Sequence, residues 1–183
     1  MRRLIAAFLL CAAPAMAQTG GTNRPAMLDQ LLAALKAAPS EEDAAVLEAR
    51  IRQAWLEAGT PAVTLLMSRG LRDLQAGAQK EAEADFDAAI ALDPGLAEAY
   101  DRRAIARFQQ GDYAGAVRDI EETLKHEPRD FIAWQDLSRI AESRQDWNGA
   151  YAAWRKVLEI DPRTPGGQAR LDDLRRRALG EGI

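Results

Sequence analysis

The chain has 183 residues, of which 37 are alanine, whereas only 4 are valine, 9 are isoleucine and 6 are threonine. Alanine loses no side-chain entropy in a helix, while β-branched residues favour strands. This composition argues against a β-sandwich or barrel and predicts closely packed helices. A hydrophobic content of 48% with 28% charged residues excludes a wholly disordered chain, and the length suits one domain or one repeat array.

The first seventeen residues show the three parts of a secretory signal peptide. Arg2 and Arg3 form a basic start, an almost entirely apolar run covers residues 4–14, and Ala15-Met16-Ala17 is an A-x-A cleavage site. The apolar run is shorter than the roughly 20 residues that a bilayer-spanning helix needs. We therefore predict cleavage after Ala17 and export to the periplasm, without stable membrane insertion. An uncleaved anchor is the alternative.

The segment from residue 18 to residue 60 is predicted to contain a flexible leader and a pair of helices. Residues 18–25 are polar and contain glycine, as expected of a leader. Two stretches with helical apolar spacing follow at 26–38 and 40–58, and Ser40 is a suitable first residue for the second helix. We assign residues 26–60 to an N-terminal helical pair and expect it to cap the adjoining end of the fold. Its register does not fit the repeat pattern described below, so whether it is a degenerate repeat stays open.

From residue 63 onward the chain shows an internal period of 34 residues. Pro94, Pro128 and Pro162 each follow an acidic residue and are 34 positions apart. Large and small side chains recur in the same register, where small ones let two helices approach closely and each proline ends a helix. The recurring positions are Tyr100 and Trp134; Ala82, Ala116 and Ala150; and Phe86, Ile120 and Trp154.

A 34-residue period with this pattern of large, small and proline positions resembles the tetratricopeptide repeat family, in its secreted bacterial form. The resemblance places three repeats at 63–96, 97–130 and 131–164. Each repeat is expected to consist of a helix A followed by an antiparallel helix B. The resemblance therefore implies an all-α fold, an α-solenoid of stacked helix pairs.

Three arginines depart from the family pattern. Arg69 and Arg103 stand where an apolar residue is usual, and Arg107 stands where an aromatic residue is usual. These departures concern the local packing at the three positions and not the fold.

Residues 165–183 are predicted to form a C-terminal capping helix and a tail. Leu171, Leu174 and Ala178 make a narrow apolar stripe, and charged residues occupy much of the remaining surface. A terminal repeat cannot leave its apolar face exposed, so an array of this kind needs a closing helix with a polar outer side.

The sequence offers little support for catalysis or for a metal site. Cys11 lies in the signal segment, so the mature chain has no thiolate, and His126 is the only histidine. We therefore predict no enzymatic activity, no cofactor and no His/Cys metal site. Carboxylates on separate helices leave an envelope hydrolase as a distant alternative. Loss of Arg2 and Arg3 with the signal lowers the net charge from −4 to −6, which disfavours nucleic-acid binding.

The resemblance also implies a binding surface, because tetratricopeptide arrays hold peptides on the concave face lined by their A helices. The corresponding positions here contain neither lysine nor asparagine, with which a chaperone-binding subclass holds a partner's C-terminal carboxylate, so that activity is not expected. We predict a non-catalytic scaffold or adaptor whose groove takes an apolar peptide segment flanked by basic residues. A self-associating structural array is the alternative. The predicted groove residues are Met67, Leu71, Asp101, Ile105, Phe108, Gln135 and Arg139.

Overall fold

The computed structural model describes residues 24–57 and 59–181. The predicted signal peptide, most of the predicted leader and the end of the tail lie outside these residues. The described ranges contain nine helices and no strand. The helices are α1 (Arg24–Lys36), α2 (Glu41–Leu56), α3 (Pro61–Gln75), α4 (Gln79–Leu92), α5 (Ala97–Gln109), α6 (Tyr113–His126), α7 (Phe131–Ser143), α8 (Trp147–Ile160) and α9 (Gly167–Ala178).

Helices α3 to α8 form three pairs, and each pair packs on the next. The helices within a pair make the most extensive contacts, while α4 with α5 and α6 with α7 join successive pairs. The predicted all-α solenoid is thus confirmed, with α3, α5 and α7 as A helices and α4, α6 and α8 as B helices. Each B helix ends two residues before one of the three periodic prolines, because proline disfavours a helical conformation in the residue before it.

The turn inside each pair is tight and uses one residue with a positive φ. Gly77 and Gly111 have φ angles of 77° and 84°, and Gln145 has a φ of 59° at the corresponding position of the third pair. Asp112 and Asp146 then begin the B helices, each accepting a hydrogen bond of 2.9 Å from the backbone N–H three residues later. Glycine adopts this region freely, whereas other L-residues are strained in it.

Replacing Gln145 by glycine is therefore expected to raise the free energy of unfolding by about 0.5–1 kcal/mol. The left-handed conformation costs a non-glycine residue roughly 1–2 kcal/mol, and the larger entropy of glycine in the unfolded chain offsets part of that gain. Urea denaturation measures the change. The matched control is Gln110→Gly, where φ is −81° and the substitution should destabilise; two variants that lose stability equally would contradict this reading of the turn.

A small residue on the A helix lets the paired B helix approach closely. A Cβ atom added at Gly70 would lie 2.7 Å from Cε1 of Phe86, whose side chain is fully buried. One period later, Ala104 replaces this glycine and Ile120 replaces this phenylalanine, and both are buried in one core cluster. A larger residue on one helix is therefore matched by a smaller residue on the other.

The expected position of the N-terminal pair is wrong. The N-terminal hairpin, as we call α1 and α2, does not stack on the first repeat but folds back to contact α5 and α8. Its apolar residues, including Leu35, Ile51 and Trp55, share a core cluster with Phe131 at the start of α7. The Trp55 and Phe131 rings are tilted with centroids 5.6 Å apart. Burial of this stripe against the turns between repeats stabilises the observed arrangement.

Polar contacts also attach the hairpin to these turns. Arg129 Nη1 lies 2.6 Å from Asp29 Oδ1, and Arg163 Nε donates a hydrogen bond of 3.2 Å to the carbonyl oxygen of Ala38. In addition, α1 begins within the predicted leader rather than at residue 26. Pro25 permits this earlier start, because the first turn of a helix does not use the backbone N–H that proline lacks.

Helix α9 packs against α8 and closes the far end of the array. Leu174 is 1% exposed and shares a core cluster with Trp154 and Val157. The Trp154 indole N–H donates a hydrogen bond of 2.8 Å to the carbonyl oxygen of Gly167 at the start of α9. Over the described ranges, no helix combines the length and apolar character that crossing a bilayer requires.

Candidate functional site

All seven predicted groove residues lie on A helices, but the structure exposes them unequally. Met67 and Asp101 are only 3% and 1% exposed, so their side chains offer almost no surface to a partner. The other five are partly or fully exposed, and we call them the open groove surface. They are Leu71 on α3, Ile105 and Phe108 on α5, and Gln135 and Arg139 on α7.

Phe108 and Arg139 link two neighbouring A helices across the open groove surface. The guanidinium carbon of Arg139 lies 5.3 Å from the centroid of the Phe108 ring, a distance typical of a cation–π contact. Arg139 Nη2 also donates a hydrogen bond of 2.6 Å to Asp136 Oδ1. The Phe108 ring contacts Tyr113 as well, with centroids 5.6 Å apart. These contacts hold the aromatic ring and the guanidinium in fixed positions while part of each stays exposed.

Buried carboxylates lie on α5 and α7 beside this surface. Asp101, Asp130 and Asp136 are each at most 8% exposed. Neither carboxylate oxygen of Asp101 has a hydrogen-bond partner among the described residues, and the nearby Arg102 Nη1 is 3.8 Å from Asp101 Oδ2. Arg102 instead donates a hydrogen bond of 2.6 Å to Glu98 through Nε. With Glu98, the cluster therefore has four carboxyl groups beside two guanidinium groups, those of Arg102 and Arg139.

The same burial changes the acidity of these groups. Burial, reinforced by the charges of Asp130 and Asp136, raises the pKa of Asp101 well above its usual value. Burial raises the pKa of Asp130 to about 7, although two backbone N–H groups of α7 donate to its side chain and oppose the shift. Burial also raises the pKa of Asp136, against the opposing charge of Arg139. The cluster thus favours protons or a nearby positive charge.

Arg69 and Arg103, which depart from the family pattern, pair with aspartates on the B helix of the same repeat. Arg69 Nε donates a hydrogen bond of 2.5 Å to Asp85 Oδ2, and Arg103 Nε donates one of 2.9 Å to Asp119 Oδ2. In each pair a second N–H of the guanidinium contacts the other carboxylate oxygen. Our sequence reading missed these pairs. The detectable signal is that both the arginines and the aspartates recur at the 34-residue period.

The third departure, Arg107, joins the same network. Its Nη1 donates a hydrogen bond of 2.9 Å to Asp119 Oδ2, and its Nε donates one of 2.8 Å to Glu83 Oε1 on α4. Three unusual arginines are therefore accommodated by oppositely charged residues on the B helices. Their role is to connect helices within and between repeats.

The described ranges contain no group of histidine, cysteine and acidic residues arranged to hold a metal ion. His126 is exposed at the end of α6, and its ring stacks on Tyr100 of α5 with a centroid separation of 5.7 Å. The ring contact of His126 is therefore with an aromatic residue of the repeat pattern on the neighbouring helix.

Comparisons with known proteins agree with the repeat architecture. A family model described as tetratricopeptide repeat matches residues 97–130. The chain is 31% identical over 153 residues to a TPR repeat-containing protein of Rhizobium etli, covering 84% of this chain and 75% of that protein. It is 31% identical over 111 residues to the Hsp70-Hsp90 organizing protein of Triticum aestivum, covering 61% of this chain and 19% of that protein.

A solved structure shows the same fold at lower sequence similarity. The first TPR of Spaghetti, bound to an HSP90 peptide, superposes with a TM-score of 0.62 at 20% identity. The match covers 67% of this chain and 96% of that one. Together with the relative in Rhizobium etli, which matches most of both sequences, these findings identify the family. The chain belongs to the tetratricopeptide repeat family.

Proposed function

We propose that this protein is a non-catalytic interaction module that binds a peptide segment of a partner protein on the open groove surface. The observation that carries the proposal is the Phe108–Arg139 pair, which presents a fixed aromatic ring and a guanidinium from two adjacent A helices. Aromatic and arginine side chains supply much of the binding energy in protein interfaces. Leu71 and Ile105 add apolar surface on the same helices, so the site suits a segment with apolar side chains.

Relatives support an interaction function of this kind. The Spaghetti repeat domain is bound to an HSP90 peptide, and the wheat relative is named as an organizing protein for Hsp70 and Hsp90. The open groove surface of this chain contains no lysine and no asparagine. We therefore propose a ligand that is not held by a C-terminal carboxylate.

The charge beside the surface favours a ligand with basic residues. Asp101 and Asp136 lie on the same two helices as Phe108 and Arg139, and because burial raises the pKa of both, a positive charge nearby would favour their ionised form. Complementary potentials increase both the rate of association and its specificity. The proposed ligand is therefore an apolar segment flanked by lysine or arginine.

We also propose that the protein acts in the periplasm. The support is the pattern of residues 1–17, with its basic start, apolar run and A-x-A site. Mass spectrometry of the protein purified from its native cell should find Gln18 as the first residue. A chain that retains residues 1–17 would contradict export with cleavage.

Replacing Phe108 by alanine is expected to weaken peptide binding about tenfold, or about 1.4 kcal/mol. The substitution removes the ring that Arg139 covers and leaves the backbone of α5 unchanged. A peptide array would first select an apolar segment with basic flanks, and calorimetric titration would then compare the affinities. The matched control is Leu92→Ala, because Leu92 is 60% exposed on α4. Equal effects of both substitutions, or no effect of the first, would contradict the assignment of the surface.

A further inference from the structure

A cavity of about 250 Å³ lies between the N-terminal hairpin and the turns that precede α5 and α7. Leu28 and Trp55 of the hairpin form one side, and Leu96 and Ala97 at the start of α5 form the other. The cavity exists because the hairpin folds back onto the array, so it is separate from the open groove surface. An apolar cavity of roughly 150 Å³ is large enough for benzene, whereas drug-sized ligands occupy about 300–1,000 Å³. This cavity therefore has room for one large apolar side chain.

Trp55 contributes its ring to the lining of the cavity. The residue is only 7% exposed, and its indole N–H has no acceptor among the described residues. By contrast, Trp134 and Trp154 donate their indole N–H groups to backbone carbonyl oxygens at 3.0 and 2.8 Å. A buried donor without an acceptor is costly. Because the indole nitrogen itself is enclosed by protein atoms, a ligand in the cavity can contact the ring of Trp55 but not its N–H group.

The charges around the cavity favour a ligand that carries a positive charge next to the part that enters the cavity. Asp29, Glu98 and Glu127 line the cavity with Arg129 as the one guanidinium. Arg129 pairs with both Asp29 and Glu127, at 2.6 and 2.9 Å, and Glu98 pairs with Arg102. One negative charge remains in excess after both arginines are counted.

We propose that this cavity binds a single leucine or phenylalanine side chain of a partner peptide, next to a lysine or arginine in that peptide. The apolar side chain contacts Leu28 and Leu96, and the basic side chain lies near the excess carboxylate. The site is a second contact for a peptide ligand and does not depend on binding at Phe108.

Nuclear magnetic resonance with the probe N-acetyl-leucyl-lysine amide tests the proposal. The indole N–H signal of Trp55, identified by its loss in Trp55→Phe, should move on titration, while the Trp154 indole signal stays in place.

Two substitutions to leucine serve as test and control. Ala97→Leu, which fills the cavity, should abolish binding of the probe, and Ala84→Leu, at an exposed position of α4, should leave binding unchanged. N-acetyl-leucyl-glutamate amide should bind about threefold more weakly than the lysine probe.

Several results would overturn the proposal. One is a Trp55 signal that does not respond to the lysine probe, provided that the titrated protein shows its normal thermal unfolding. Equal affinity for the lysine and glutamate probes would show that the ligand needs no basic residue next to the bound apolar side chain. A Trp55 signal that moves with protein concentration alone would show that a second copy of the chain occupies the cavity. Phe108→Ala leaves the cavity intact. The proposal of peptide binding at the open groove surface and the proposal of binding in the cavity can therefore be contradicted independently.

Discussion

Replacing Asp119 by alanine should lower the free energy of unfolding by about 3 kcal/mol. Asp119 is 2% exposed and accepts hydrogen bonds from both Arg103 and Arg107. Removing one partner of a buried ion pair costs about 3–5 kcal/mol, although Arg103 and Arg107 keep the more exposed partners Asp87 and Glu83. The two arginines keep 15% and 20% side-chain exposure, so the loss should be near the lower end. Urea denaturation monitored by tryptophan fluorescence measures it.

The third repeat supplies a matched control for this prediction. It has Leu137 and Ala153 at the positions that Arg103 and Asp119 occupy in the second repeat, and Ala153 is 2% exposed. The double variant Arg103→Leu with Asp119→Ala copies that apolar pair. We expect it to recover about 2 kcal/mol of the loss, since it removes the arginine that has lost its buried partner. A double variant less stable than Asp119→Ala alone would contradict the view that the charges of Arg103 and Asp119 compensate each other.

The protein is expected to be more stable at pH 5 than at pH 8. Burial raises the pKa of Asp130 to about 7 in the folded chain from an ordinary value of 3.8. Between these two values the folded chain holds a proton that the unfolded chain has released, so this contribution is present below about pH 4 and lost as the pH rises through about 7. Burial raises the pKa of Asp101 and Asp136 as well, which acts in the same direction.

Replacing Asp101 by asparagine should remove much of that difference. The amide has nearly the same shape but no charge, and within the described ranges the carboxylate has no hydrogen-bond partner to lose. We expect a gain of about 2 kcal/mol at pH 8 and little change at pH 5. Urea denaturation at both pH values provides the comparison, with Asp172→Asn on the exposed side of α9 as the control. If stability instead rose from pH 5 to pH 8, or if the asparagine variant gained nothing at pH 8, the carboxylate cluster would not act as described.

The solenoid could be predicted because its determinants are local and periodic. Pro94, Pro128 and Pro162 mark the ends of the B helices, and small residues such as Ala82 mark close helix contacts. Each determinant acts within one or two helices, so a pattern along the chain is enough to reveal it. The Arg–Asp pairs belong to the same class, because Arg69 and Asp85 recur one period later as charged residues of the same types.

The position of the N-terminal hairpin could not be predicted in this way. Asp29 and Arg129 form an ion pair across a sequence separation of 100 residues, and Trp55 packs on Phe131. An amphipathic pair of helices shows that an apolar stripe must be buried, but it does not show which surface receives it. The raised pKa of Asp101 has a similar origin, because part of the shift comes from the charges of Asp130 and Asp136 in the next repeat and not from the pattern within α5.

Peptide binding by the open groove surface is tested most directly by photo-crosslinking in the native cell. A photoreactive amino acid replaces Gln135 on this surface or, as a control, Arg118 at an exposed position of the B helix α6. We expect a discrete crosslinked partner from position 135, its loss when Phe108→Ala is added, and no such product from position 118. The same product from position 118, or a product at position 135 that persists in the Phe108→Ala background, would contradict binding at this surface.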